Sequence, residues 1–258
     1  MHGMLIERTY LNAWGRIANP NNRKLRERYA ELCTDVIINL NDGNARETWF
    51  TFYQLDDYAN AVDELEDLGC HVHFMTWVRP KAPWLNGMID DCLELLDRTQ
   101  ARSLLCDLEG PWARSKASER EDAAEAIGEA FCGRDWGFTD VPMVQWSKVA
   151  SIAERAAYWM PQCHTFGRRN GIKPRPWYRT PGKLERWTHK KWGKRLEVGQ
   201  RIIPHLADYN VGSYRQTAPG LRESIATCHE LGYTEIAAWC PLKGPKNPQV
   251  WKGLKYER

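Results

Sequence analysis

The stretch SLLCDLEGPW, from Ser103 to Trp112, is the most informative part of this sequence for its fold. A short apolar run ends in two carboxylates, Asp107 and Glu109, and a Gly-Pro pair follows at once. Short apolar runs bounded by turn residues are typical of buried strands. Side chains two residues apart on a strand face the same side. The stretch therefore predicts a buried strand from which both carboxylates project together.

Short apolar runs of this kind alternate with amphipathic helical stretches along the chain. Strands that alternate with helices predict a parallel sheet. Eight such strands in a chain of 258 residues favour an α/β fold of the (β/α)8 TIM-barrel type, for which about 250 residues are typical. An open doubly wound sheet is the alternative, but no glycine-rich nucleotide-binding motif follows any run. We expect one domain over residues 1–258, with a basic insertion at about 167–200 between strands six and seven. The predicted strands are residues 6–14, 35–41, 70–77, 103–109, 141–146, 160–166, 202–209 and 234–239.

In such a barrel the active site lies at the C-terminal ends of the strands. Two crowded carboxylates in a partly dry site raise the pKa of one of them. A protonated carboxyl beside an ionised one is what glycosidic cleavage requires. Glu109 lies farther out and has the longer side chain, so we expect it to be the acid, with Asp107 orienting it or steadying an intermediate. The substrate-binding residues expected at the other strand ends are Tyr10, Asn41, Trp77, Gln145, Trp146, Asp208, Tyr209 and Trp239.

The motif from Leu105 to Trp112 resembles the fourth-strand motif of barrel glycoside hydrolases. It is most similar to the D-x-E of the family 25 lysozymes, many of which are bacteriophage endolysins, and it also resembles the end of the longer motif of family 18 chitinases. The resemblance implies hydrolysis of an N-acetylated polysaccharide such as peptidoglycan, with Glu109 as the proton donor and Asp107 as its helper. It also implies that Trp239 corresponds to the tryptophan at the floor of the chitinase sugar site. The first strand lacks the aspartate of the family 25 motif.

The positive charge is concentrated in the predicted insertion. Residues 168–201 hold 12 Lys or Arg against 2 Asp or Glu, although the formal net charge of the chain is only +3. Such a patch favours an anionic polymer, either a nucleic acid or the bacterial cell wall, and a solvated loop is the plain alternative. The chain also has 13 tryptophans, which often line clefts for flat or partly polar ligands. The residues expected to bind the polymer are Arg168, Arg169, Lys173, Arg175, Trp177, Lys190 and Lys191.

These features are compatible with three functions. The one we expect is a lysozyme-like glycosidase that cleaves peptidoglycan, as an antimicrobial endolysin does. The second is a nucleic-acid-binding or nucleic-acid-processing barrel, because the basic segment interleaves cations with aromatic side chains as single-strand binding grooves do. The third is a non-catalytic cell-wall-binding module, for example of a virion.

Neither a cofactor nor a metal is expected. The eight cysteines form no C-x-x-C pair, and we interpret most of them as reduced, buried side chains. The first residues show no secretory signal, and no run approaches the roughly 20 apolar residues that span a bilayer. We therefore expect cytoplasmic synthesis, followed either by release to the cell wall through a holin-type partner or by carriage in a virion.

Overall fold

A computed structural model describes residues 6–41, 53–82, 84–165, 176–241 and 243–256. Within these ranges a curled sheet of nine parallel strands is surrounded by helices. The strands are β1 (Arg8–Ala13), β2 (Asp35–Asn39), β3 (His71–Trp77), β4 (Ser103–Asp107), β5 (Asp135–Asp140), β6 (Tyr158–Pro161), β7 (Arg201–Ile202), β8 (His205–Ala207) and β9 (Glu235–Trp239). The α-helices are α1 (Arg23–Leu32), α2 (Leu55–Asp67), α3 (Trp84–Arg98), α4 (Gly110–Arg114), α5 (Ala117–Ala130), α6 (Ala150–Ala153), α7 (Lys183–Trp192), α8 (Ala218–Glu230) and α9 (Pro248–Tyr256).

The order of the strands brings their C-terminal ends to one side of the sheet. That order is β7-β6-β5-β4-β3-β2-β1-β9-β8, and every neighbouring pair is parallel. Trp77 is level with Asp107, and Asp107 is level with Thr139. The residues that end β3, β4 and β5 therefore lie side by side at this end of the sheet, which we call the mouth.

The two edge strands of the sheet, β7 and β8, are consecutive in the chain and are separated by Ile203 and Pro204. Proline has no N–H and interrupts a ladder of backbone hydrogen bonds. On one side the Ile203 N–H donates to the Trp159 carbonyl at 2.8 Å, and on the other the Pro204 carbonyl accepts from the Ala237 N–H at 2.9 Å. A parallel bridge between Gln162 and His205 links the same two sides. Residues 201–207 thus join the two edges of the curled sheet, which gives a TIM-barrel-like fold.

Two apolar cores lie on opposite faces of the sheet. The larger core fills the space between the sheet and the surrounding helices. The smaller core lies on the inner face, because its members come from alternate positions of strands all around the sheet. It consists of Tyr10, Ile37, Met75, Leu105, Tyr158, Met160, Ile203 and Ala237.

A belt of polar contacts closes the N-terminal end of the inner face. Asp35 is fully buried and accepts hydrogen bonds from the Arg8 guanidinium and from His73 Nε2, the latter at 3.0 Å. His73 Nδ1 contacts the Ser103 hydroxyl at 2.7 Å, which contacts the Tyr158 hydroxyl at 2.8 Å. Burial acts to raise the pKa of Asp35, but the bonds from His73 and Arg8 outweigh it and hold the pKa below its ordinary value. The belt leaves the opposite end of the sheet as the open one.

The fifth strand is the clearest departure from the sequence prediction. The predicted strand at 141–146 is wrong, since the chain turns there and the Val144 N–H donates to the Val141 carbonyl at 3.1 Å. Pro142 removes the donor that a central strand would need. The strand lies instead at Asp135–Asp140, where Gly137 approaches the Tyr158 ring so closely that a Cβ would lie 2.4 Å from it.

The described part of the basic segment is largely an ordinary outer helix. It begins with a 3-10 turn at Pro176–Arg179, continues into α7 and ends with a 3-10 turn at Gly193–Arg195. Leu184 and Trp192 bury α7 in the larger core, and α7 packs beside α8. None of the helices that the structure describes is long and apolar enough to cross a membrane.

Candidate active site

Asp107 is a buried carboxyl at the last position of β4, with 6% of the residue exposed. Ser103 and Leu105 share its side of the strand and point to the inner face, as the alternation predicts. Burial raises the pKa of Asp107 well above its ordinary value; the charges of Glu109 and Asp140 raise it further, and the Glu109 backbone N–H opposes them. Oδ1 of Asp107 has no hydrogen-bond partner among the described residues. This carboxyl is therefore suited to hold a proton.

Glu109 is exposed at the rim of the mouth, on a turn that is fixed on both sides. It is the residue before α4, and a glycine and a proline open that helix. The preceding Leu108 is buried and its N–H donates to the Thr139 carbonyl at 3.0 Å. The indole N–H of buried Trp112 donates to the Lys148 carbonyl at 2.6 Å. The backbone is thus held in place while the Glu109 side chain faces solvent, as a group that meets a polymer must.

A third carboxyl, which the sequence analysis missed, is Asp140 at the end of β5. Only 2% of it is exposed, Oδ1 accepts from the Val141 N–H at 2.6 Å, and Oδ2 has no partner within the described ranges. Burial raises the pKa of Asp140 from 3.8 to about 7; the Val141 N–H opposes the shift, the charge of Glu109 adds to it, and two lysines oppose it. The sequence feature that could have identified Asp140 is the run WGFTD at 136–140, which ends in an acidic residue as SLLCD does.

Trp77 and Asn41 lie at the mouth beside the carboxyls, and they are held there by each other. Trp77 ends β3, is half-buried, and has the Arg79 guanidinium 5.2 Å from its ring centroid. Asn41 is buried, accepts from the Trp77 N–H at 3.1 Å and donates to the Thr76 hydroxyl at 3.0 Å. Both the oxygen and the nitrogen of the Asn41 amide are thus hydrogen-bonded within the protein, and these bonds hold the end of β3 in place.

A row of aromatic rings follows the strand ends on the other side of the mouth. Tyr209 contacts His164 at 5.8 Å between centroids, His164 contacts His205 at 5.6 Å, and His205 contacts Trp239 at 5.8 Å. Trp239 ends β9 and meets Trp14 edge-on at 5.5 Å. The structure therefore brings Tyr209 and Trp239 into the mouth, together with two histidines to which the sequence analysis assigned no role.

Two residues expected to bind substrate are buried away from the mouth. Tyr10 belongs to the inner core, and its hydroxyl lies 3.4 Å from a Glu235 carboxylate oxygen at the N-terminal end. Asp208 is fully buried and accepts from the Asn247 backbone N–H at 3.1 Å, from the Asn247 amide at 2.6 Å and from the Trp251 indole at 3.0 Å. Because its bonds go to the chain around α9, Asp208 fastens that helix to the sheet.

Gln145 and Trp146 follow the turn after β5, not a strand end. Gln145 is exposed and precedes the 3-10 turn Trp146–Lys148. The Trp146 ring packs on Trp159 and Trp192 in the larger core, and the Arg195 guanidinium lies 4.6 Å from its centroid. The wrong position of predicted strand five accounts for both placements.

Most residues expected to bind a polymer fall outside what the structure describes. Arg168, Arg169, Lys173 and Arg175 lie beyond the described residues, and only the backbone of Trp177 is described. Lys190 is exposed on α7. Lys191 donates to the Pro142 and Val144 carbonyls, both at 2.8 Å, and so supports the turn after β5.

The mouth contains many buried polar atoms without a hydrogen-bond partner among the described residues. Such atoms are rare in proteins and call for an explanation. They belong to residues at or just after the ends of β1, β2, β4, β5, β6 and at β8: Asn12 Oδ1, Asn39 Oδ1, Asp107 Oδ1, Asp140 Oδ2, Gln162 Nε2, His164 Nε2 and both ring nitrogens of His205. Other such atoms lie elsewhere in the described ranges, but the grouping of these eight at one end of the sheet favours a site for a polar ligand there. No group of three or more His, Cys, Asp or Glu in the described ranges is arranged to hold a metal ion.

The sequence matches no known family model and no curated protein. Several solved structures resemble this chain over nearly its whole length. The spore cortex-lytic enzyme SleL of Bacillus cereus has a TM-score of 0.64 at 12% identity, over 96% of this chain and 74% of that one. The catalytic domain of a hyperthermophilic chitinase from Pyrococcus furiosus has a TM-score of 0.62 at 13% identity, over 98% and 95% of the two chains. The aldolase DAHP synthase of Thermotoga maritima has a TM-score of 0.58 at 8% identity, over 99% and 68%. At these identities the likeness establishes a TIM-barrel-like α/β fold, which several chemistries share.

Proposed function

We propose that the protein is a glycoside hydrolase that cleaves a β-linked, N-acetylated polysaccharide. The observation that carries the proposal is the pair of carboxyls at the end of β4, with Glu109 exposed at the rim and Asp107 buried and proton-holding behind it. Two carboxyls in unlike environments at one strand end are typical of sites that cleave glycosidic bonds. We further propose that the sheet is a (β/α)8 barrel whose seventh strand consists of β7 and β8.

In the proposed reaction Glu109 donates its proton to the glycosidic oxygen while the bond from that oxygen to the sugar ring breaks. Positive charge develops on the ring, and either the substrate's own acetamido oxygen or a water molecule forms the new bond; a water molecule that does so gives a proton to the Glu109 carboxylate. Asp107 keeps its own proton at this stage, because its burial disfavours a charge. Its O–H is then available to hydrogen-bond the carboxylate that Glu109 becomes, or the intermediate formed with the acetamido group.

Bacterial peptidoglycan is the substrate we propose within this class. The D-x-E of Asp107 and Glu109 resembles that of lysozymes of the endolysin type, and SleL is a spore cortex-lytic enzyme. The basic residues of 168–201 would help to hold an anionic wall polymer. Access to the wall would follow release through a holin-type partner, or delivery in a virion.

Aldol chemistry is the second candidate, because aldolases share the fold. An enzyme that forms a Schiff base uses a lysine amine, and none of the nine described strands contains a lysine. The mouth instead presents carboxyls, which favours the glycosidase. Borohydride trapping of a carbonyl substrate on the protein would reverse this preference.

The proposal is tested by the clearing of permeabilised bacteria. We expect the wild type to lower turbidity, Glu109→Gln to lose about 10²–10⁴-fold of the rate, and Glu125→Gln, an exposed residue on α5, to behave as wild type. Equal clearing by wild type and Glu109→Gln would refute the assignment. Salt-dependent binding of DNA without any release of sugar would favour the nucleic-acid hypothesis instead.

A further inference from the structure

His164 and His205 are two titratable groups at the mouth that the proposed reaction does not use, and His164 is partly exposed. His205 begins β8, is fully buried, and neither of its ring nitrogens has a hydrogen-bond partner among the described residues. Nε2 of His164 is also buried without a partner there. The two rings meet edge-on, with centroids 5.6 Å apart and planes at 75°.

Burial favours the neutral form of both imidazoles. Burial lowers the pKa of His164 to about 3. Burial also lowers the pKa of His205 well below its ordinary value, and the charge of His164 lowers it further. A neutral imidazole offers one N–H donor and one nitrogen acceptor. The pair therefore presents both kinds of hydrogen-bonding group without a net charge.

A third unsatisfied donor lies next to the histidines. Gln162 is 5% exposed, pairs with His205 through the backbone bridge, and its amide Nε2 has no partner in the described part of the chain. The rings of Tyr209 and Trp239 lie on either side of the histidine pair. Apolar side chains of similar size would fill this space without leaving polar atoms unpaired, so packing alone does not explain these residues.

We propose that His164, His205 and Gln162 form a specificity subsite for an uncharged amide substituent of the sugar, the N-acetyl group of a hexosamine. This inference rests on the proposed function and names the residues that select its substrate. An amide carries one acceptor and one donor, which match the donors and acceptors of the three side chains. A de-N-acetylated sugar brings an ammonium group instead, and burying a charge without a partner in this dry position is costly.

The test measures binding in the catalytically blocked Glu109→Gln protein, so that it does not depend on turnover. Tri-N-acetylchitotriose and fully de-N-acetylated chitotriose are titrated against tryptophan fluorescence, since Trp239 contacts His205. We expect the acetylated oligomer to bind more tightly. His205→Phe and, separately, His164→Phe should weaken its binding by about tenfold or more, the usual effect of unpairing a hydrogen-bonding site. Binding of the other oligomer should change little.

The melting temperature of His205→Phe and two further variants separate recognition from folding. His205→Phe should leave the melting temperature unchanged or raise it, because it removes two unpaired buried nitrogens. His205→Asn, which keeps one donor and one acceptor, should recover part of the affinity. His189→Phe is the control at a distant position, since His189 on α7 is also in edge-on ring contact with a tyrosine, Tyr233, which follows α8; it should leave the binding of both oligomers unchanged.

Several results would overturn the subsite. One is that both His→Phe variants keep the wild-type preference for the acetylated oligomer. Another is that they lose binding only to the extent that their melting temperature falls. A third is that the Glu109→Gln protein binds neither oligomer. The proposed function is judged separately by turnover. If the protein binds the acetylated oligomer through the histidines but cleaves nothing, the subsite stands and the hydrolase assignment fails. If both His→Phe variants cleave normally, the hydrolase assignment stands and the subsite fails.

Discussion

Asp107 and Asp140 end two neighbouring parallel strands, and each buries one carboxylate oxygen that has no hydrogen-bond partner in the described part of the chain. The charge of Asp140 contributes to the raised pKa of Asp107. The charge of Glu109 at the rim also contributes to the raised pKa of both aspartates. The mouth thus holds a coupled set of three carboxyls, two of which resist ionisation. Asp107 and Asp140, the two that resist ionisation, thus lie behind Glu109, the proposed acid, at the same end of the sheet.

Asp140→Asn should make the protein more stable at neutral pH. The folded-state pKa of Asp140 lies above its ordinary value, at about 7 against 3.8. Between these values the unfolded chain ionises while the folded one keeps its proton, so stability falls as pH rises from about 4 to about 7 and is level above that. We expect Asp140→Asn to remove most of this fall, a gain of about 2–4 kcal/mol at pH 7. Urea unfolding at a series of pH values measures it.

The control for this titration is Asp122→Asn, an exposed aspartate on α5. It should leave the pH dependence as in the wild type. The same decline in stability in wild type and Asp140→Asn would contradict the raised pKa.

Asp107→Asn should separate stability from activity. It removes a buried acid whose pKa is raised in the folded state, so the cost of keeping that group protonated at neutral pH is lost and stability should rise by about 1–3 kcal/mol. The Asn amide still donates a hydrogen bond but cannot take up or give away a proton, and the loss of this titratable group should lower kcat by about 10²–10⁴-fold. Thermal unfolding and turnover of a soluble peptidoglycan fragment are measured on the same sample. A variant that is both less stable and fully active would argue against the role of Asp107.

Gly137→Ala should strongly destabilise the fold. A Cβ at Gly137 would lie 2.4 Å from the Tyr158 ring and 2.5 Å from the Tyr158 carbonyl oxygen, and the backbone atom cannot move aside. Overpacking of this kind costs about 1–3 kcal/mol or more. Gly193→Ala is the matched control, because Gly193 has an ordinary helical φ and open space around it. Equal melting temperatures for the two variants would contradict the close approach of β5 and β6.

Asp35→Asn should weaken the belt at the N-terminal end. It leaves the Arg8 guanidinium and His73 without their charged acceptor, which should cost about 2–4 kcal/mol. The folded-state pKa of Asp35 is lowered, so its contribution is present above the ordinary carboxyl pKa and is lost as pH falls below it. The difference between wild type and variant should therefore shrink in acid. Asp97→Asn, which breaks an exposed pair with Arg134, should change stability by less than about 1 kcal/mol.

The sequence predicted the parts of the fold in which a strand and a helix differ clearly in apolar periodicity. The SLLCD run and the apolar runs of β2 and β3 lie where the pattern placed them, give or take end residues. The fifth strand was missed because its inner positions are Gly137 and Thr139, which look like a turn in the sequence. Only the contact with Tyr158 explains why a glycine is needed there.

The candidate site was predictable where a residue's place depends on its own strand. Asp107, Glu109 and Trp239 needed only the strand end and the alternation of side chains. Asp140 depended on locating β5. The histidine pair depended on the joining of two strands, β6 and β8, that lie about 40 residues apart in the chain, and no local pattern indicates that contact.

The most direct test of the central claim is mass spectrometry of the products that the purified protein releases from purified peptidoglycan. If Glu109 is the proton donor, the wild type should release glycan fragments with a new reducing end, and Glu109→Gln should release none at the same protein concentration while keeping the wild-type melting temperature. Peptide products without new reducing ends, or the same glycan fragments from both proteins, would contradict the account.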